Sequence, residues 1–252
     1  MNDVVLVLSG LDPSGGAGIS ADIETIQQFG LTALPIITVL TAQNTCSVAE
    51  TQAVDSALIV KQFNHLQDDI DFKVVKIGLL SSVQQIRDIA NLVQGKKVVL
   101  DPIVKSSSTD VLLQTQAINA LKQDLLPLVH ILTPNSAELS TLSTAENEQQ
   151  QVASLPCEWV LVTTTDISHD EIEHRLYQQG NLLKSYTYKK LSGDYHGSGC
   201  TLSSAIAALI AQDLSIEEAC QQALNYTYQT LLHAKSIGKM QKHPNRLHKK
   251  LL

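Results

Sequence analysis

The sequence predicts an α/β fold built on a mostly parallel β-sheet with one small antiparallel edge hairpin. Three observations lead there. Short apolar runs alternate with amphipathic stretches along most of the 252 residues. The runs are rich in Val and Ile and are bounded by Gly or Pro turns, as strands of βαβ units are. One segment, Glu171–Leu191, breaks the rhythm with two extended stretches around Gln179-Gly180-Asn181, the pattern of a hairpin.

The elements follow in order. Val4–Ser9 reads as a buried first strand, not a signal peptide, because an acid precedes a short apolar run and no basic segment does. Gly15–Phe29 reads as a helix entered through glycines, and Pro35–Leu40 as the second strand. Ser56–Gln67 is expected to be helical with Leu58, Phe63 and Leu66 inward. Val74–Ile77 is a short strand. Val83–Val93 places Val83, Ile86, Ile89, Ala90 and Val93 at helical period. Lys97–Leu100, Val129–Leu132 and Trp159–Val162 are further strands. Two long helices, Ser198–Gln212 and Ile216–Ala234, close the pattern. The polar run Glu146–Gln151 is a surface patch rather than a boundary, so residues 1–252 form one domain, with a basic, loosely packed tail over 236–252.

Composition narrows function. With 44% apolar and 17% charged residues the chain can build a sizeable core. A net charge of −7 leaves no basic face for a nucleic-acid backbone. No apolar stretch approaches the roughly 18 residues of a membrane span. Cys46, Cys157, Cys200 and Cys220 show no zinc spacing, and a chain this large needs no disulfides, so reduced thiols in a cytoplasm are expected.

Five polar turns fall at the expected carboxyl edge of the sheet. Gly197-Ser198-Gly199-Cys200 opens a helix, so free N–H groups and the positive dipole end converge there on an anion, phosphate being the commonest. The same tetrad also serves as an unliganded helix entry. Cys200, in the first helical turn, is either a thiol of lowered pKa acting as a base or a buried, inert one. Gly10-Leu11-Asp12 opens the turn that runs to Gly18, and it is not a P-loop, because no Lys-Ser or Lys-Thr follows the glycines. It suits a substrate with hydroxyl or amino groups. In Thr133-Pro134-Asn135-Ser136-Ala137-Glu138, Asn135 and Glu138 share one helical face. They can hold Mg²⁺, directly or through its waters, or form a capping box. Asp101-Pro102-Ile103-Val104 ends a strand at the crevice. Gln43, in Thr41-Ala42-Gln43-Asn44-Thr45, offers a donor and an acceptor to a heteroaromatic ring. Together these suit phosphoryl transfer, which needs positioning and charge neutralisation. Cys46 reads as a bland loop thiol.

The order and wording of these motifs carry a resemblance. GLDPSGGAGISADIETIQQFG, VLTAQNT, DPIV, LTPNSAE and HGSGCTLSSAIAA resemble the hydroxymethylpyrimidine/phosphomethylpyrimidine kinases of the ribokinase-like superfamily, beside the pyridoxal kinases. The match runs from about Val4 to Arg246 and is weak over Thr144–Leu191. The resemblance implies a three-layer sandwich with helices on both faces of the sheet, and a homodimer. It implies ATP and Mg²⁺ used twice, on the hydroxymethyl group of 4-amino-5-hydroxymethyl-2-methylpyrimidine and then on its monophosphate. It implies that Gln43 meets the aminopyrimidine, with Gly10, Asp12 and Val104 beside it. Gly197, Ser198, Gly199 and Cys200 become the anion loop and base. Asn135 and Glu138, with Asp101 and Thr163, serve ATP and Mg²⁺. The chain departs from the family at Leu11, at Val104 and at Thr163-Thr164-Thr165-Asp166, where the family has Lys-Gly-Gly-His. Lys76, Lys105 or the tail lysines are the candidates to replace that Lys. A pyridoxal or pyridoxine kinase, and a paralogue that binds an aminopyrimidine without phosphoryl transfer, remain the alternatives.

Overall fold

The computed structural model describes residues 3–104, 113–166 and 168–247. Its strands are β1 (Val4–Leu11), β2 (Thr32–Gln43), β3 (Val48–Ala53), β4 (Val74–Ile77), β5 (Lys97–Leu100), β6 (Val129–Leu132), β7 (Trp159–Asp166), β8 (Glu171–Gln178) and β9 (Asn181–Lys189). They form one sheet in the order β3-β2-β1-β4-β5-β6-β7-β8-β9. Strands β1, β2 and β4 to β7 are parallel, while at the edges β3 pairs antiparallel with β2, β8 with β7 and β9 with β8.

Strand side chains alternate between two helical layers. Leu6, Leu8, Val75, Ile77, Val98 and Leu100 join one core with α2 (Ser56–Asp69), α3 (Val83–Leu92), α4 (Thr115–Ala120), α5 (Ser136–Leu142) and α6 (Glu148–Ala153). Val5, Val7, Val74, Val99 and Leu161 join the other with α1 (Gly18–Gln28), α7 (Ser198–Ala211) and α8 (Ile216–Leu232). Because both faces are covered, the strands read as continuous apolar runs. The expected three-layer α/β sandwich with its edge hairpin is the observed fold.

The differences have local causes. Helix α1 begins at Gly18, not Gly15, because Gly15 and Gly18 both take positive φ (76° and 59°), which breaks the helix before that point. In α2 the buried face is Ile59 and Phe63; Leu58, expected inward, is 48% exposed. Strand β3 had no sequence signal, since Glu50, Thr51 and Gln52 are polar and exposed, and its extended state comes from pairing with β2. The tail is not uniformly loose. Ile237 and Met240 are exposed, but His243 and Arg246 are buried. Lys105 and the last five residues lie outside the described residues.

Below the carboxyl ends of the strands lies a dry ion pair. Lys76 Nζ on β4 donates to Asp22 Oδ1 on α1 at 2.8 Å, both side chains fully buried, and Ser204 Oγ on α7 donates to the same oxygen at 2.7 Å. Burial disfavours the ammonium, but Asp22, with Asp101 nearby, outweighs it and keeps Lys76 charged. The pair ties β4 to α1 and α7 of that layer. Removing one partner strands the other charge in the core. Lys76→Met should therefore lower the unfolding free energy by about 3–5 kcal/mol, measured by urea denaturation; an unchanged midpoint would contradict an ionised pair.

Candidate active site

The chain leaves β1 toward β2 on one side while β4 flanks the other, so the strand order reverses at β1. Such a reversal opens a crevice at the carboxyl ends. The crevice here is a cavity of about 630 Å³. Every residue expected at the site lines it: Gly10, Asp12, Gln43, Asp101, Val104, Asn135, Glu138, Thr163, Gly197, Ser198, Gly199 and Cys200.

Asp12 organises the first turn. Its carboxylate accepts from Ser14 N at 2.8 Å, Ser14 Oγ at 2.9 Å and Ala17 N at 2.9 Å, closing the loop onto the start of α1. Burial pushes its pKa up, but the hydrogen bonds from His196 and Ser14 prevail and hold it at about 2. Asp12 is therefore ionised and only accepts. It lies 2.9 Å from His196 Nε2, so that nitrogen carries the proton. Gln43 Nε2 is placed 2.8 Å from the same nitrogen, where two donors would meet. The amide is better assigned with Oε1 toward His196 and Nε2 toward Thr41 Oγ1, now 3.2 Å from the other end of the amide. Gln43 thus keeps one N–H and one lone pair for a ligand, in an orientation fixed by His196.

The second turn is the head of α7. Gly197 takes φ 82° at the N-cap, and no side chain caps the helix. The N–H groups of Ser198, Gly199 and Cys200 are left for an anion at the positive end of the dipole. A Cβ on Gly197 would lie 2.0 Å from the Gly16 carbonyl oxygen. The two glycine turns therefore meet backbone to backbone.

Cys200 corrects one expectation. It lines the cavity but is only 4% exposed, and burial pushes its thiol up to about 12, with Asp101 and Asp22 adding to the rise and Lys76 and the Gly18 N–H opposing it. The helix dipole does not produce a thiolate here. The thiol instead hydrogen-bonds Asp101, whose own pKa is raised, chiefly by burial, despite Lys76 nearby.

At the third turn the capping box is formed. Asn135 Oδ1 accepts from Glu138 N, and Glu138 Oε2 accepts from Asn135 N, both at 2.9 Å. Burial and then the charge of Asp101 push Glu138 up to about 8. Two acids lining one cavity, Glu138 raised in part by the charge of Asp101, suit a hard cation. Among the described residues no group of three or more His, Cys, Asp or Glu could hold a metal ion, so a cation here would draw its other ligands from substrate oxygens and water.

Sequence reasoning missed the wall contributed by the β7–β9 hairpin: Thr164, His174, Tyr188 and Lys190. Thr164 sits at a bulge between Val162 and Thr165 with φ 57°, a left-handed conformation costly for a β-branched residue. Its N–H donates to His174 Nδ1 at 3.2 Å. Lys76 does not reach the cavity. Lys190 does, and among the described lining residues it alone is a Lys or Arg; its Nζ also lies 2.9 Å from Asp166. His196, next to the Gly197 turn, was within the recognised motif but had no assigned part.

An oriented amide, a helix head open to an anion and paired acids at a switch point serve phosphoryl transfer from one small molecule to another. Fold and cavity together define a ribokinase-like small-molecule kinase. More narrowly, the family model for phosphomethylpyrimidine kinase matches residues 12–245, and the chain belongs to that family. The hydroxymethylpyrimidine/phosphomethylpyrimidine kinase of Rhizobium meliloti (strain 1021) is 34% identical over 239 residues, 90% of each chain. That of Salmonella typhimurium is 31% identical, covering 92% of each. The crystal structure of phosphomethylpyrimidine kinase from Clostridium difficile 630 superposes with a TM-score of 0.77 at 30% identity, over 90% of this chain and 99% of that one. An ADP complex of Bacillus subtilis pyridoxal kinase shares the fold over the whole of both chains, with a TM-score of 0.87 at 24% identity.

His174 gives the site a pH signature. Burial pushes its pKa down to about 4 from an ordinary 6.5. Between these values the unfolded chain binds the proton and the folded one does not, so stability falls as pH drops through that window. Gln at 174 can still accept from Thr164 N–H but cannot be protonated. His174→Gln should flatten the loss of melting temperature from pH 6.5 to pH 4; parallel wild-type and variant profiles would contradict the buried neutral ring.

Proposed function

We propose that the enzyme uses ATP and Mg²⁺ to phosphorylate 4-amino-5-hydroxymethyl-2-methylpyrimidine and then the resulting monophosphate, as a kinase of thiamin biosynthesis. One observation carries this reading: Gln43, held by His196, and the uncapped head of α7 line the same cavity. The amide fits the donor–acceptor edge of an aminopyrimidine, and the helix head fits the migrating phosphoryl. The resemblance adds a homodimer, and the four unpaired cysteines are in keeping with a cytoplasmic setting.

Each part of the chain then has a task. Gln43 orients the ring, with Gly10 and Val104 shaping the wall beside it. The amides of Ser198, Gly199 and Cys200 collect the negative charge that develops on the phosphoryl oxygens. Asn135, Glu138, Asp101 and Thr163 line the same cavity and would receive the donor's phosphates. Mg²⁺ would be held by Asn135 and Glu138, directly or through its waters, and would neutralise phosphate charge. In the first step the acceptor oxygen bonds to phosphorus as the bond to ADP breaks. Its proton passes to Cys200 Sγ while the thiol proton passes to Asp101, whose raised pKa suits it to receive one. In the second step the acceptor is an anionic phosphate and has no proton to give up.

Purified protein with ATP, Mg²⁺ and the pyrimidine alcohol should yield ADP and the mono- and pyrophosphate in sequence. Turnover of pyridoxal alone would favour the pyridoxal kinase reading, and calorimetric binding of the pyrimidine without ADP release would favour a non-catalytic paralogue. Cys200→Ala should slow the first step by about 10²-fold and leave the second nearly unchanged. Equal losses in separate assays of the two steps would remove the proton relay.

A further inference from the structure

The Asp12–His196 hydrogen bond joins the two glycine turns through their own side chains. Gly16 and Gly197 themselves contribute only backbone, and α7 has no side-chain cap. A second link across the junction comes from the far end of the chain. Arg246 is 2% exposed, and its guanidinium reaches both turns. Nη1 donates to Gly15 O at 3.4 Å and to Glu24 Oε2 at 3.1 Å, and Nη2 donates to Gly16 O. Nε donates to Thr201 Oγ1 at 2.9 Å, and that hydroxyl donates to Gly197 O at 2.8 Å.

We propose that Arg246 is a positioning residue for phosphoryl transfer, fixing the spacing of the acceptor-side glycine turn against the anion-binding head of α7. A planar fork is needed for this. Its acceptors lie in several directions on two separate segments, which a rigid guanidinium can serve together and an ammonium on a flexible stem cannot. The fork is itself anchored. Tyr226 Oη donates to Arg246 O at 3.0 Å, and Asn245 N donates to Thr230 O at 2.9 Å, both partners on α8. The ring of His243 backs the same turn, since a Cβ on Gly16 would fall 2.7 Å from its Nε2. Arg246 is not among the residues lining the cavity. It acts through the two turns that are.

The kinetic arm of the test rests on the proposed reaction, and the exchange arm does not. Hydrogen–deuterium exchange of the full chain without ligands reads both turns, with the β8–β9 hairpin as internal control. In Arg246→Ala, peptides over 12–17 and 197–201 should exchange about tenfold faster, the factor expected for losing a charged hydrogen bond, with the hairpin unchanged. Arg246→Lys should recover part of the protection. In the kinase assay the alanine variant should lose about 10²-fold in kcat, the effect of misplacing reacting groups, with KM for both substrates little changed. Faster exchange confined to the tail, or spread equally into the hairpin, would overturn the proposal, as would a folded variant with wild-type kcat. If Arg246→Ala does not fold, Glu24→Ala carries the test. It removes one guanidinium partner at a partly exposed position and should loosen 12–17; no change there counts against the positioning role. A wild-type protein that transfers no phosphoryl, but whose variant loosens both turns, keeps the positioning and loses the substrate reading. An active wild type whose variant leaves both turns protected does the reverse.

Discussion

The structure depends on a backbone contact between two glycine turns. Gly16 presents its carbonyl to Gly197 so closely that no other residue type fits at 197. That approach brings the end of β1 and the start of α7 to one wall of the cavity. An acceptor held near Gln43 then lies beside amides able to hold a phosphoryl. Around the contact, two buried carboxylates are held by named partners. Asp12 is satisfied by its own loop and by His196, and Asp22 by Lys76 and Ser204. Each partner also fixes a geometry. The Asp12–His196 link settles which way the Gln43 amide faces, and the Lys76–Asp22 link locks a strand to two helices.

Electrostatics divides the cavity. Its acidic residues include Asp12, Asp101, Glu138 and Asp194, against a single Lys or Arg among the described lining residues. Asp12 is neutralised locally. Burial raises the proton affinity of Asp101 and Glu138, and the charge of Asp101 raises that of Glu138 further. A ligand rich in phosphate enters such a cavity only with a cation or with donors aimed at it. The α7 amides supply the donors, and the carboxyl pair suits the cation.

Much of this was legible from residues alone, for identifiable reasons. Strands covered on both faces become uninterrupted Val and Ile runs, so β1, β4, β5 and β6 were readable nearly to the residue. Turns at strand ends carry chemistry in short compact motifs, so the lining residues from Gly10 to Cys200 were readable too. Other features depend on what folds over them. Strand β3 is polar and extended only because β2 pairs with it. Helix α7 is buried on every side from Cys200 to Ala211, which no one-sided stripe foretells. The place of Cys200 on a helix left open a thiol of lowered pKa or a buried, neutral one, and burial near Asp101 and Asp22 decides for the neutral thiol. His174, Tyr188 and Lys190 reach the cavity through a hairpin whose spacing carries no motif. Arg246 looked like part of a solvated basic tail because the carbonyls it serves lie some two hundred residues earlier.

That distance has a consequence for how the molecule is made. Gly16 and Arg246 are separated by 230 positions along the chain. A ribosome therefore delivers the acceptor turn long before its guanidinium partner. The sheet and both helical layers can assemble progressively as strands emerge, yet this clasp waits until Arg246 has left the exit tunnel. A nascent chain can thus be largely folded while its acceptor wall is still unfastened.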